Sequence, residues 1–186
     1  MNLKKLVTAA VCTMLMAAVA FTAGCGGEKK SDKKVLKVGM ECAYAPYNWS
    51  QTKADGGAVK IAGSNEYAYG YDVMMAKKLA DSMGADLEIH KIEWDGLAPA
   101  VVSGKIDAAI AGMSITSKRK ETVDFTKPYY YATVVALVKK DSEQAKAQSV
   151  ADLKGSVATS QLNTIWYDQI DQVPDVKKLP AIDTVP

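Results

Sequence analysis

The chain has 186 residues, 48% hydrophobic and 24% charged, a composition that excludes disordered, collagen-like and disulfide-scaffold classes. Lysine and arginine number 23 against 21 acidic residues, which leaves no basic footprint for nucleic acid. There is one histidine, His90, and one arginine, Arg119, so a histidine-built metal centre or a Ser-His-Asp hydrolase fits poorly, and no metal or cofactor is expected.

Met1–Lys5 carries positive charge, and Leu6–Phe21 is an uncharged apolar run of 16 residues, shorter than the roughly 20 that a membrane-spanning helix needs. Thr22-Ala23-Gly24-Cys25 follows and resembles the end of a bacterial lipoprotein signal, with Thr22 where leucine is usual. In such a signal the cysteine is acylated and becomes the new N-terminus. Residues 1–24 thus read as a signal peptide, Cys25 as the lipidation site and residues 25–34, charged and free of large apolar side chains, as a flexible tether. Loss of Lys4 and Lys5 leaves 21 basic and 21 acidic side chains. It also leaves Cys42 without a disulfide partner; Cys42 reads as a small residue at a strand end, with no histidine near it in sequence to activate it.

The body alternates strands and helices. Val35–Met40 alternates as a first strand, and Ser50–Tyr69 is a polar, glycine-bearing excursion predicted to be a hairpin turning at Asp55-Gly56-Gly57. Asp72 is placed to cap a helix running to about Met83, with Val73, Ala76, Leu79, Ala80 and Met83 on its apolar face and Gly84 as its stop. Leu87–Ile92 alternates as a second strand with His90 on the polar face, and Leu97–Val101 suggests a short helix ended by Ser103-Gly104. Ile106–Ala111, nearly all apolar, predicts a buried parallel strand. The order β-α-β-α-β implies an α/β fold on a parallel sheet. After Tyr129-Tyr130-Tyr131, Ala132–Val138 predicts another strand. A second series follows: a strand near Val157–Thr159, a helix from Thr164 and a strand near Val176–Leu179. One strand–helix–strand module cannot close a second sheet, so the chain reads as part of a longer one.

Hydroxyl residues cluster just past the end of the Ile106–Ala111 strand, and Thr116 can cap a short helix that carries Arg119. Ligands of open α/β sheets bind outside the strands' carboxyl ends, and backbone N–H groups with a guanidinium there can hold a carboxylate. The residues alone leave Arg119 open between that role and a surface ion pair with Glu121 or Asp124. They likewise leave Trp94 between cleft and core.

Val38–Tyr47, Gly70-Tyr71-Asp72-Val73 and the run from Asp95-Gly96-Leu97-Ala98-Pro99-Ala100 to Pro128-Tyr129-Tyr130 resemble the family 3 extracellular solute-binding proteins, the amino-acid-binding lipoproteins of ABC importers. The resemblance covers nearly all of residues 35–170. It implies two α/β lobes of the periplasmic-binding-protein type, with residues 35–131 as the first and residues 132–186 as a hinge strand and partial second lobe. It further implies that Glu41 and Tyr44 face the ligand, Glu41 standing where aspartate is commoner. Trp94 would stack on the ligand, Gly112 and Ser114 would contact it, Arg119 would hold its carboxylate, and Thr164 would reach it from the second lobe. Asn163 departs from the family's usual glycine or serine, and the family's ammonium-binding aspartate would lie beyond Pro186. The implied protein is a monomer, extracytoplasmic and lipid-anchored, that hands a free polar or basic L-amino acid to permease transmembrane subunits and performs no catalysis. Two other classes remain in play: a secreted dehydratase on the same fold, with Glu41 as its acid, and a ligand-sensing surface lipoprotein.

Overall fold

Strand β1 (Val35–Met40) lies at the centre of a three-stranded parallel sheet, between β6 (Asp86–Lys91) and β7 (Ala108–Ala109). This is a computed structural model that describes residues 33–184; the expected signal peptide, the expected lipidation site Cys25 and most of the expected tether fall outside the described residues. Val38 pairs with Ile89 on one side and Ala108 on the other. Leu36, Val38 and Met40 are buried, while Leu97 and Ile106 pack over Gly39, so the C-terminal half of β1 is covered on both faces. The buried strand expected over Ile106–Ala111 is a shorter one. The main chain follows β1 through Asp107 N–H to Lys37 O (2.9 Å) and Ile110 N–H to Gly39 O (3.1 Å). Ala108, Ala109 and Ile110 remain only half-buried, because among the described residues β7 is the sheet's edge.

Between β1 and the first long helix lies an antiparallel sheet ordered β2 (Ala43–Tyr44), β3 (Asn48–Gln51), β5 (Tyr67–Tyr69), β4 (Val59–Lys60). The expected hairpin is corrected here. Asp55–Gly57 is a 3₁₀ turn joining β3 to β4, which do not pair; both pair with β5. The close hairpin turns at residues 61–66, because Ile61 is buried and bridges to Ile89 while Ala62 N–H donates to Ile89 O (2.8 Å). Burying Ile61 against the main sheet fixes where the turn falls.

Helix α1 (Tyr71–Met83) buries Asp72, Val73, Ala76 and Ala80 and ends at Gly84 in the left-handed conformation, the usual C-terminal role of glycine. Leu79 and Met83 flank this narrow stripe and are exposed. Asp72 does not cap the helix: the first N–H groups donate instead to main-chain carbonyls, Tyr71 to Pro46 (3.2 Å) and Asp72 to Tyr47 (2.8 Å). The approach requires Gly70, whose φ is 127° and where a Cβ would collide with Tyr47 O.

A 3₁₀ turn at Trp94–Gly96 leads into α2 (Leu97–Val102), and Thr116 caps α3 (Ser117–Lys120) as expected, its hydroxyl accepting from Arg119 N–H (3.1 Å). Ala132–Val138 is not a strand. It runs unpaired and exposed, with Val135 at 80% and Leu137 at 100% of full exposure. Beyond it, β8 (Val157–Ala158) and β9 (Lys177–Lys178) pair in parallel around α4 (Ile165–Gln169), close to the expected second series but in shorter elements. Among the described residues no helix is long and apolar enough to cross a membrane.

Candidate functional site

The C-terminal ends of all three parallel strands point to one place. β1 delivers Glu41 and Cys42 and leads into Tyr44 of β2; β6 delivers Glu93-Trp94-Asp95; β7 delivers Gly112, Ser114 and the Thr116-capped helix bearing Arg119. Facing them is the short loop Gln161–Thr164, between β8 and α4. This is the crevice where open α/β sheets bind ligands.

Arg119 reaches across the crevice. Its Nη1 donates to Ser114 O (2.7 Å) on its own side, and its Nη2 to Asn163 O (2.9 Å) on the other. The guanidinium lies 5.5 Å from the centre of the Trp94 ring, and Trp94 Nε1 donates to the same Asn163 carbonyl (3.3 Å). Burial pulls the Arg119 pKa below its ordinary value, partly offset by Asp168. The surface ion pair with Glu121 or Asp124 is not formed. A guanidinium carries five N–H donors in a planar fork, so two engaged on carbonyls leave three for an anion. Trp94 is buried at the boundary between the two sides, touching both.

Asn163 adopts φ 56°, a conformation that asparagine tolerates better than most residues, and its Nδ2 donates to Asp95 Oδ1 (2.8 Å). Thr164 is buried at the N-cap of α4, its hydroxyl accepting from Tyr167 N–H (3.2 Å) and donating to Gln161 O (2.7 Å). The Thr164 hydroxyl therefore shapes the loop. Glu41 is 5% exposed, and its Oε1 accepts from Nε2 of Gln161, itself 3% exposed, at 2.7 Å. Burial raises the Glu41 pKa, the Gln161 bond lowers it, and Glu93 and Asp95 raise it further.

Tyr44 stacks on Tyr47 (5.0 Å between centres, 22°) and meets Trp166 of α4 at 6.0 Å. It also lies over Gly112, whose φ is 64°. Gly112 N–H does not point to open space: it donates to the Tyr129 hydroxyl (2.9 Å), which donates in turn to Asp72 Oδ1 (2.7 Å). Asp72 Oδ2 accepts from Asn48 Nδ2 (2.7 Å), and Asn48 Oδ1 accepts from Cys42 N–H (2.8 Å). This chain, buried at Asn48 and Asp72 and running out through half-buried Tyr129, ties the ends of β1 and β7 together, and sequence reasoning missed it. Gln161 and Asp95 were missed as well. They come within reach of Glu41 and Asn163 only through folding, across 120 and 68 positions of sequence. Among the described residues no cluster of histidine, cysteine or carboxylate side chains could hold a metal ion.

The model of the bacterial extracellular solute-binding proteins, family 3, matches residues 36–178. The chain is 33% identical over 140 residues to the arginine-binding extracellular protein ArtP of Bacillus subtilis (strain 168), covering 75% of this chain and 49% of that protein. It is 32% identical over 176 residues to ABC transporter arginine-binding protein 1 of Escherichia coli (strain K12), covering 94% of this chain and 61% of that protein. The chain thus spans about half to three-fifths of the length of these relatives. Among solved structures, an ancestral arginine-binding protein bound to arginine superposes with a TM-score of 0.66 at 33% identity, over 82% of this chain and 62% of that one. With the family's pattern running through both sides of the crevice and the strands that build it, the chain belongs to the bacterial extracellular solute-binding proteins, family 3.

Proposed function

We propose that this protein is the solute-binding subunit of an ABC importer, taking a free polar or basic L-amino acid between the two sides of the crevice and delivering it to the permease's transmembrane subunits. The observation that carries this reading is Arg119, the chain's one arginine beside 22 lysines. It is half-buried and met by main-chain carbonyls from both sides of the crevice. A surface ion pair could use either cation, whereas a planar fork matters where two parallel bonds to a carboxylate are made. Trp94 and Tyr44 flank the space where an aliphatic stem would lie, and Glu41 stands at the far end for a polar or cationic tip. The relatives named for arginine support the class of substrate. The small-residue run into Cys25 supports a lipid anchor and an extracytoplasmic place, which the mass of the native N-terminus checks. Binding by a single copy, without chemistry, is the rest of the reading.

Arg119→Ala should cost roughly 3–5 kcal/mol in binding, about two to three and a half orders of magnitude, by leaving a desolvated carboxylate without its counter-charge. Calorimetry with a panel of L-amino acids and their carboxamides checks this, beside a turnover assay on the same samples. The wild type should reject carboxamides and Arg119→Ala should lose that discrimination. Unchanged binding in Arg119→Ala, or consumption of a ligand, would sink the proposal.

A further inference from the structure

We infer that Gln161 is a positioning residue for side-chain selection: from the opposite side of the crevice it fixes the Glu41 carboxylate so that the site prefers an amino acid with a cationic side chain over a neutral one of equal size. This rests on the reading above and narrows its substrate class.

Gln161 has its amide nitrogen fully committed. Nε2 donates to Glu41 Oε1 (2.7 Å) and to Asp183 O (3.0 Å). The loop is held for this by pairing of Gln161 with Ile182, where Leu162 N–H donates to Ile182 O (2.9 Å) and Ile182 N–H to Ser160 O (3.1 Å). A primary amide offers two N–H donors, and both are used. Gln161 therefore orients one Glu41 oxygen without neutralising the charge, and Oε2 has no hydrogen-bond partner among the described residues.

The charge balance around Glu41 is one-sided. Glu93 and Asp95 act on it, and with Asp183 they line a cavity of about 270 Å³. None of Glu41, Glu93 and Asp95 forms an ion pair with a cation among the described residues; the nearby guanidinium of Arg119 is turned to the Ser114 and Asn163 carbonyls. A carboxylate removed from water with no counter-ion is unfavourable, and a ligand cation relieves that cost while a neutral tip does not. Because Glu41 and Gln161 come from opposite sides, the carboxylate is fixed only when those sides are together. Reading of the ligand's tip is thereby tied to closure.

The test compares L-arginine with L-citrulline, which has the same length and a neutral urea tip, by calorimetry on this chain. Wild type should favour arginine by about tenfold or more, the size of one charge-assisted bond. Gln161→Met keeps the bulk and removes the donor; it should bring the ratio below about threefold while carboxamide rejection, the work of Arg119, is unchanged. Glu41→Gln should abolish the ratio, and it serves as the deciding variant if Gln161→Met does not fold. A wild type that binds both ligands equally, or a ratio unmoved in Gln161→Met or, where that variant fails to fold, in Glu41→Gln, overturns the inference and leaves the amino-acid reading standing. Binding of no amino acid at all would instead overturn that earlier reading.

Discussion

Among the described residues, Glu41 and Asp72 are the two carboxylates that the fold takes out of water, and burial raises the pKa of each. Asp72 keeps hydrogen bonds from Tyr129 and Asn48, whereas Glu41 has one, from Gln161. A carboxyl whose folded pKa is raised binds its proton more tightly in the folded than in the unfolded chain. The stability it contributes is fully present below the ordinary carboxylate value and is lost as pH rises through the raised one. Glu41→Gln removes that loss and keeps an oxygen for Gln161 to donate to. The variant should therefore gain melting temperature relative to the wild type as pH goes from about 4 to about 7 without ligand. Thermal melts across that range check the sign; a difference that stays constant would mean that Glu41 does not titrate abnormally. Cys42, close behind in sequence, is buried with its thiol pushed up to about 12, so it is a packed residue at the strand end and not a nucleophile.

At the scale of elements, helix starts are built in two opposite ways. Thr116 and Thr164 cap α3 and α4 with their own hydroxyls, a signal written in the sequence. The start of α1 is closed by the carbonyls of Pro46 and Tyr47, which requires Gly70 to let them approach. Gly70→Ala places a Cβ against Tyr47 O in a conformation unsuited to side chains, and should destabilise by on the order of 2–4 kcal/mol. The midpoint of urea denaturation measures it. A loss below about 0.5 kcal/mol, ordinary for a surface position, would show that the α1 entry relaxes freely.

For the whole molecule, the stretch from Tyr131 to Val138 is the clearest departure from globular packing. Tyr131, Val135 and Leu137 are each at least four-fifths exposed and lie in sequence between the two sides of the crevice. Exposed apolar runs of this kind promote self-association and add little to the stability of the chain that carries them. Val135→Lys with Leu137→Lys should leave the melting temperature of this chain within about 2 °C while lowering light scattering at high concentration. A large drop in melting temperature would mean that the segment packs in solution.

Much of this protein is legible in its residues. The alternation of Val35–Met40 and Leu87–Ile92, the glycine stop at Gly84 and the threonine caps are local preferences that act over a turn or two, and folding left them in place. The crevice is legible in part: hydroxyls past a parallel strand point to the strands' carboxyl ends, but the residues alone leave Arg119 open between a ligand role and a surface ion pair. What only the tertiary structure decided involves partners far apart in sequence. Asp72 looks like a helix cap by position, yet becomes the buried acceptor for Asn48 and Tyr129, 24 and 57 positions away. Ile61 moves the hairpin turn by packing on Ile89, and Ala132–Val138, with every local preference for a strand, stays single because among the described residues no neighbour pairs with it. A strand's hydrogen bonds are made to a neighbouring strand and not within itself, so its own residues can favour it but not complete it. The same holds for Gln161, whose amide gains its meaning from a carboxylate 120 positions upstream.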